Sequence, residues 1–154
     1  MCCLPGVVCF VLGENELHRY ADTLSSVNLH YAREGQELGW HFDNSSFATT
    51  LLIAEPEGGG RFEYLKDVRD ADAGEYNFPQ VDKILSGDIE PDSLSDKPGT
   101  LMLFRGRNSI HRVTPTRGSK TRMLAVLAYN SQAGIALSES ARKTFYGRMG
   151  QEIH

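Results

Sequence analysis

A series of short apolar segments, each bounded by glycine, proline or other turn-forming residues, constrains the fold of this chain more than any other feature. Some of these segments alternate apolar and polar residues, and others are rich in β-branched residues, as FATTLLIA is. Strands do not alternate regularly with helical patterns, which argues against a parallel α/β sheet. The pattern predicts an all-β fold with minor helix, a sandwich or a barrel. Its strands are expected at residues 27–33, 39–43, 47–54, 61–65, 100–104, 110–114 and 121–130.

The segments between and after these strands include one long insertion. Residues 66–98 are rich in Asp, Ser, Pro and Gly, and they contain one expected helix at 79–85. Long loops in compact domains are often functional, so the insertion is predicted to act as a lid or specificity loop. Further helices are expected at 14–24 and at 138–146, the latter with Ser138 as its N-cap.

Composition and charge limit the classes of protein to which the chain can belong. Its 154 residues predict one domain spanning 1–154. It has 16 Lys and Arg against 20 Asp and Glu and no long basic run, so no nucleic-acid partner is expected. The apolar residues 1–12 are too few to span a bilayer and are expected to form a buried strand or a ragged terminus. Free thiols in a reducing compartment are expected for Cys2, Cys3 and Cys9, which predicts a cytoplasmic protein without membrane contact.

The triplet His41-Phe42-Asp43 is the first chemical signal. On a strand, residues i and i+2 face the same side, so the imidazole of His41 and the carboxylate of Asp43 project together. His111 lies on another predicted strand. If the two strands face each other across a barrel, two imidazoles and one carboxylate converge, which is the facial triad of non-haem iron(II) oxygenases. The triad leaves one face of the metal open and a net charge of about +1, which attracts an anionic 2-oxo acid.

Arg122 supplies a cation at a suitable distance from this triad. It lies eleven residues after His111, at the start of the next predicted strand, and the loop 114–121 has the length of a hairpin return. The guanidinium is therefore expected near the metal, one strand away. Arginine binds a carboxylate through two parallel hydrogen bonds, and a buried arginine without an anion is costly. The far carboxylate of 2-oxoglutarate would supply that anion.

Five segments together resemble the 2-oxoglutarate/iron(II) dioxygenase superfamily. They are YAREGQELGWHFD, TTLLI, GGGRFEY, PGTLMLFRGRNSIHRVTP and GSKTRMLAVLAY. The similarity is greatest to the prolyl-hydroxylase-like branch and to bacterial members that act on small molecules or free amino acids, and it covers a core at 27–130. The resemblance implies a double-stranded β-helix, the jelly-roll barrel that cupins also have. Fewer residues precede the strand with Tyr31 than the superfamily usually has, so a truncated N-terminal part is expected.

The resemblance also implies a role for each site residue. The metal ligands and catalytic residues would be His41, Asp43 and His111. Arg122 would hold the far carboxylate of 2-oxoglutarate. A tyrosine about ten residues before the His-x-Asp motif commonly helps to bind this co-substrate; Tyr31 occupies that place, and Asn28 is a second candidate. The cofactors would be Fe(II), 2-oxoglutarate as co-substrate and O2, with ascorbate in support.

The predicted function is hydroxylation of an aliphatic C–H of a small molecule such as an amino acid, with release of succinate and CO2. In related halogenases a small residue replaces the metal carboxylate and makes room for halide, whereas this chain has Asp43. The alternatives are a non-catalytic cupin-like protein that binds a metal or a small molecule, an inactive truncated homologue, and a zinc or nickel ion in the same triad. A small-molecule substrate is the expected partner, and the sequence leaves the oligomeric state open.

Structural roles compete with these functional ones. His111 could be a core histidine, Arg122 a partner in a surface salt bridge, and Tyr31 a core aromatic residue. His30 neighbours Tyr31 on the opposite strand face and is not expected to be a metal ligand. Three arginines near His111 form either a solvated face or a site for an acidic group of the substrate; they are Arg105, Arg107 and Arg112. Further candidates for lining the pocket are Asn44, Glu63 and Asn108.

Overall fold

The structure, a computed structural model, describes residues 4–147. Its helices are α1 (Leu4–Leu12), α2 (Phe78–Ser86) and α3 (Glu139–Tyr146). Its strands are β1 (His18–Arg19), β2 (Val27–Ala32), β3 (Leu38–His41), β4 (Phe47–Ala54), β5 (Gly58–Gly59), β6 (Phe62–Leu65), β7 (Asp92–Leu94), β8 (Leu101–Phe104), β9 (Ile110–Val113), β10 (Thr116–Arg117) and β11 (Arg122–Asn130). Each of the predicted strands is present, with ends that shift by no more than two residues.

The strands form two main sheets that pack face to face. The larger sheet has the order β1-β11-β4-β8, with β2 also paired to β11, and the smaller has the order β3-β9-β6-β7. All pairings are antiparallel, including that of the short ribbon β5-β10. The ring of Phe104 in the larger sheet lies 5.0 Å from Phe62 and 4.8 Å from His111 in the smaller one. This arrangement is a jelly roll, which confirms the expected fold class.

The register of the larger sheet determines which side chains face the inside of the barrel. Phe104 faces inward, and Ala48 on β4 is its direct partner. Four residues further along β4, Leu52 lies on the same face and pairs with Leu124 on β11. Arg122, two residues before Leu124, therefore also faces inward. The two central strands, β4 and β11, are apolar on both faces because both faces are at least partly covered.

The insertion 66–98 contributes regular elements to the fold. Helix α2 confirms the helix predicted at 79–85 and ends at Gly87, whose φ is 84°. Its Ile84 is buried in a cluster with Val68 and with Ile110 of β9, against the outer face of the smaller sheet. The insertion also supplies β7, an edge strand that pairs with β6. Part of the segment is therefore scaffold for the strand that carries His111, and its role as a lid stays a prediction.

Two predictions for the N-terminal part are wrong. Residues 4–12 form helix α1 where a buried strand or a ragged terminus was expected, because a short continuous apolar run does not distinguish a strand from a helix. Residues 14–24 contain β1 and turns in place of the expected helix. There the buried carboxylate of Asp22 accepts hydrogen bonds from two backbone amides and from the Ser25 hydroxyl. Such local bonds compete with helix formation.

The helix predicted at 138–146 is confirmed as α3. The hydroxyl of Ser138 accepts a hydrogen bond from the backbone N–H of Ala141, as expected of an N-cap. The thiol of Cys9 is free, whereas Cys2 and Cys3 lie outside the described residues. Among residues 4–147, no helix has both the length and the apolar character needed to cross a membrane.

Candidate metal centre

The three predicted ligands lie together at one end of the barrel. The pairing of β3 with β9 sets His41 directly opposite His111, and their ring centroids are 4.1 Å apart. Asp43 follows the end of β3, and its Oδ1 lies 3.8 Å from Nε2 of His41 and 3.6 Å from Nε2 of His111. One ligand atom from each residue therefore lies within 4.8 Å of the others. The two strands are hydrogen-bonded neighbours in one sheet, so the expectation that they face each other across the barrel is wrong.

Backbone carbonyls hold both imidazoles in one orientation. Nδ1 of His41 lies 2.8 Å from the carbonyl oxygen of Gly39, and Nδ1 of His111 lies 3.0 Å from that of Ser109. A carbonyl oxygen only accepts, so each Nδ1 carries the hydrogen and each Nε2 presents its lone pair. Metal-binding histidines are commonly oriented in this way. Burial is the main cause of the lowered pKa of His41, and the nearby His111 lowers it further. Both effects favour the neutral imidazole that a metal needs.

Asp43 is held by the segments on both of its sides. Its backbone N–H donates to the carbonyl oxygen of Gly106 at 3.0 Å. Two residues further along, the buried Ser45 lies beside the side chain of Tyr20. Burial is the main reason why the pKa of Tyr20 is raised to about 12, so its hydroxyl stays protonated at neutral pH. Neither Tyr20 nor Gly106 was predicted from the sequence, because neither belongs to a recognisable ligand motif.

An aromatic wall lies beside the second histidine. Phe62 and Phe104 contact the His111 ring at centroid distances of 5.5 and 4.8 Å. Tyr64, the direct partner of His111 in the β6–β9 pairing, packs against both phenylalanines at 5.7 and 6.0 Å. It is half-buried, and its hydroxyl has no hydrogen-bond partner within residues 4–147. The alternation in RFEYL places Phe62 and Tyr64 on one face, which is the signal that could have identified them.

Arg122 lies in a cavity of about 310 Å³ between the two sheets. The cavity is also lined by Leu52, Phe62 and Asp96, and Phe62 links it to the ring of His111. Arg122 exposes 8% of its surface, and no carboxylate among the described residues lies within ion-pair distance of its guanidinium. Burial lowers the pKa of Arg122, and the negative charge of Asp96 partly opposes that effect.

The strands that bracket Arg122 differ from the expected hairpin. The strand that carries His111, β9, belongs to the smaller sheet, and β11 belongs to the larger one, so Arg122 reaches the cavity from the opposite sheet. Gly60 lies close beside it: a Cβ there would come within 3.0 Å of Arg122 Cδ and 2.9 Å of Pro56 Cγ. Its φ is also 62°, so the glycine-rich turn permits both the backbone conformation and the close approach of the arginine stem.

The two co-substrate candidates on β2 are not placed beside Arg122. Tyr31 is 57% exposed and pairs with Met123, which puts it on the outer face of the sheet. This position does not support a co-substrate contact from Tyr31. Asn28 is on the inner face, but its amide donates to the carbonyl oxygen of Ser25 at 3.1 Å, and its side chain lies near Tyr146 of α3.

His30 shares the inner face of β2 with Asn28. It pairs with Leu124, so it shares the inner face with Arg122. His30 is exposed by its accessible surface, but the neighbouring protein atoms remove part of its hydration, which is the main cause of its lowered pKa. The positive charge of Arg122 lowers the pKa further, and Asp43 opposes the shift. His30 also acts electrostatically on His41. It thus lies in the electrostatic range of both the triad and the arginine. The expectation that Tyr31 occupies the inner face of β2 had excluded His30, its neighbour on the opposite face.

The arginines near His111 are bound to other protein groups. Arg112 donates through Nε to Glu63 at 2.7 Å, on the outer face of the smaller sheet, and its guanidinium lies 4.7 Å from the Trp40 ring centroid. Arg107 forms an ion pair with Asp72 at 2.8 Å. These contacts favour the interpretation of a solvated face, and they place Glu63 outside the barrel.

The other polar candidates also have local contacts. Arg105 lies over the Phe47 ring at 5.2 Å. Asn44 is exposed, and the side-chain oxygen of Asn108 accepts a hydrogen bond from the backbone N–H of Ala71 at 3.0 Å. None of these three residues lines the cavity that contains Arg122.

A comparison with a solved structure supports the fold. An oxidoreductase of the 2OG-Fe(II) oxygenase family from Burkholderia pseudomallei matches with a TM-score of 0.57 and 15% identity, over 82% of this chain and 50% of that one. A prolyl 4-hydroxylase from Pseudomonas putida matches with a TM-score of 0.48 and 14% identity, over 79% of this chain and 56% of that one. A prolyl 4-hydroxylase from Phytophthora capsici matches with a TM-score of 0.48 and 17% identity, over 79% of this chain and 39% of that one. The chain thus spans about half the length of these proteins.

Comparison of the sequence with protein families gives a more specific result. None of the curated proteins compared with the chain matches it. The sequence profile of the Halogenase D family, in contrast, matches residues 11–146. This range includes all three candidate ligands and Arg122. Because the match extends over most of its length, the chain belongs to the Halogenase D family.

Proposed function

We propose that this protein is an iron(II)- and 2-oxoglutarate-dependent oxygenase that hydroxylates an aliphatic C–H of a small molecule such as an amino acid, releasing succinate and CO2. The observation that carries the proposal is the convergence of the two Nε2 atoms of His41 and His111 on Oδ1 of Asp43. The adjoining cavity contains a buried arginine that has no ion-pair partner within residues 4–147. Together they provide a place for a metal ion and a place for a dicarboxylic acid.

The donor set fits iron(II). Two neutral imidazoles and one carboxylate form the facial triad, which leaves three coordination positions free. In octahedral coordination with bonds of about 2.1 Å, neighbouring donor atoms are about 3 Å apart. The distances of 3.6 and 3.8 Å from Oδ1 to the two Nε2 atoms require only a small contraction to reach this value. When bound, the iron and 2-oxoglutarate supply the oxidising chemistry.

The chain's own side chains would hold the acid and exclude water. Arg122 presents the rigid fork that binds a carboxylate bidentately, and the burial of this cation is compensated only when an anion pairs with it. The ring of Phe62 lines the cavity and contacts His111, so only this ring separates the cavity from the triad on that side. With Tyr64 and Phe104, it would shield the reacting centre from solvent.

Asp43 favours hydroxylation over the halogenation that the family name describes. A halide needs a coordination position in place of the metal carboxylate. Here the carboxylate is present and faces both imidazoles. Chloride would therefore have no vacant position on the protein side of the metal, and we expect oxygen transfer. The identity of the small molecule rests on the sequence resemblance alone.

A succinate-release screen over amino acids and small metabolites tests the proposal. The assay contains Fe(II), ascorbate, 2-oxoglutarate and O2, with and without chloride. We expect substrate-dependent succinate and a hydroxylated product from the wild type, and loss of both in His41→Ala and Asp43→Ala. His18→Ala is the matched control, since His18 is on β1, outside the triad, and its side chain forms an ion pair with Glu16.

Three results would contradict the proposal. Full turnover in His41→Ala or Asp43→Ala would remove the triad from the reaction. A chlorinated product would show that the protein is a halogenase despite Asp43. A folded protein that gives no weak visible charge-transfer band when Fe(II) and 2-oxoglutarate are added anaerobically would favour a non-catalytic binding protein.

A further inference from the structure

Gly106 touches the metal centre at the side that faces away from the histidines. It is buried, two residues after the end of β8. A Cβ built on Gly106 would lie 1.9 Å from Oδ2, 2.5 Å from Cγ and 2.9 Å from Cβ of Asp43. Real Cβ atoms do not approach other atoms so closely. The carboxylate of Asp43 therefore fills the volume that any side chain at position 106 would need.

The backbone conformation does not explain why glycine is present here. Gly60, also near the site, has a φ of 62° in the left-handed region, where other residues are strained. Gly106 is not among the positive-φ glycines, so an L-residue could adopt its backbone angles. What position 106 requires is the absence of a side chain, and the group that requires it is the Asp43 carboxylate.

We propose that Gly106 is the positioning residue that gives the Asp43 carboxylate its place as the third metal ligand. A side chain at position 106 and a carboxylate at position 43 in this orientation exclude each other. Gly106 thereby helps to determine whether the third position on the protein side of the metal is filled. This inference rests on the proposed metal centre, but not on the reaction that the centre performs.

The loop around Gly106 cannot easily move aside. The Gly106 carbonyl accepts the backbone N–H of Asp43 at 3.0 Å, which ties the two positions together. Its neighbours in the loop bind the segment 67–71 through several hydrogen bonds, whose partners on the loop side are Arg107, Asn108 and Ser109. An added methyl group would therefore displace the Asp43 side chain, whose χ1 can rotate, and turn Oδ1 away from the two Nε2 atoms.

A double-mutant cycle with Gly106→Ala and Asp43→Gly tests the inference. The readouts are the affinity of the metal-free protein for Co(II), from the visible cobalt spectrum, and the thermal midpoint of unfolding. Gly106→Ala is expected to weaken Co(II) binding by about 10- to 100-fold, as loss of a supporting contact to a ligand does. Asp43→Gly is expected to weaken it by a similar factor, and the double variant to stay within about twofold of Asp43→Gly.

Thermal unfolding keeps the test decisive if Gly106→Ala is poorly folded. Gly106→Ala is expected to lower the thermal midpoint because of the clash, and adding Asp43→Gly to it should restore the midpoint. Adding Asp43→Ala should restore less of it, because the Cβ of position 43 remains within 2.9 Å of the new methyl group. The matched control is Gly58→Ala, where the new Cβ would make an ordinary contact of 3.6 Å with Arg117. It should leave Co(II) affinity unchanged.

Two outcomes would overturn the inference. Wild-type Co(II) affinity in Gly106→Ala would show that Asp43 binds metal without this space. Additive losses in the double variant, in affinity or in thermal midpoint, would show that Gly106 has a structural role independent of Asp43. Neither readout depends on turnover, so a protein that releases no succinate but shows the coupling would contradict the oxygenase proposal and support this one.

Discussion

Replacement of Arg122 by methionine removes a buried cation and keeps most of the apolar length of the side chain. We expect this variant to bind 2-oxoglutarate about 100-fold more weakly. A hydrogen bond to a charged group contributes about 1.5 kcal/mol, so a bidentate pair contributes about 3 kcal/mol. A tenfold change in affinity corresponds to about 1.4 kcal/mol. The bidentate contribution applies in full because Arg122 has no competing ion pair among the described residues and exposes only 8% of its surface.

The assay is a titration of the cobalt-loaded protein, followed by calorimetry or by the fluorescence of Trp40, the single tryptophan of the chain. Trp40 adjoins His41, so its emission can report on the metal centre. Pyruvate provides the control ligand, because it has the 2-oxo acid group but lacks the far carboxylate. Its affinity should be the same in the wild type and in Arg122→Met. Arg117→Met is the control variant, since Arg117 is exposed on the β10 ribbon.

Unchanged 2-oxoglutarate affinity in Arg122→Met would refute the assignment of Arg122 as the carboxylate clamp. An equal loss of pyruvate affinity would show that the substitution disturbs the metal centre rather than a specific contact. The thermal stability of the ligand-free protein gives a further check. An unpaired buried cation is unfavourable, so methionine should not lower the melting temperature. A marked decrease would indicate that Arg122 has a structural role.

Two further predictions concern His30 and Tyr20, neither of which was expected at the site from the sequence. His30→Ala should weaken 2-oxoglutarate binding by about fivefold, through loss of one hydrogen bond to the acid. Tyr31→Phe, on the outer face of the same strand, should leave this affinity unchanged. Equal effects of the two substitutions would contradict the placement of His30 at the co-substrate site. Because the pKa of Tyr20 is raised from 10.0 to about 12, its contribution to stability is complete below pH 10 and is lost as pH rises towards 12. In urea unfolding, the free energy of unfolding of the wild type should fall by up to about 1.4 kcal/mol per pH unit in this window, relative to that of Tyr20→Phe. If the free energies of the two proteins change with pH in parallel, the burial of Tyr20 does not raise its pKa.

The amino-acid sequence alone determined the strands and the chemical groups of the site. The predicted segment 47–54 coincides with β4, because eight apolar and β-branched residues between turn signals suit a covered strand. The spacing of His41 and Asp43 predicted that their side chains project together, because side chains on a strand alternate with a period of two. The two groups do lie together, although Asp43 follows the end of β3. These are local properties of the chain. The helix at 79–85 was likewise predictable from local signals, including the glycine that follows it.

Only the tertiary structure decided which faces point inward and which strands are neighbours. A period of two shows that His30 and Tyr31 lie on opposite faces, but it does not say which face meets the barrel interior. The pairing of His41 with His111 and the entry of Arg122 from the other sheet depend on contacts between residues far apart in sequence. The need for a glycine at position 106 has the same origin, since the group that occupies its side-chain volume is 63 residues away in the chain.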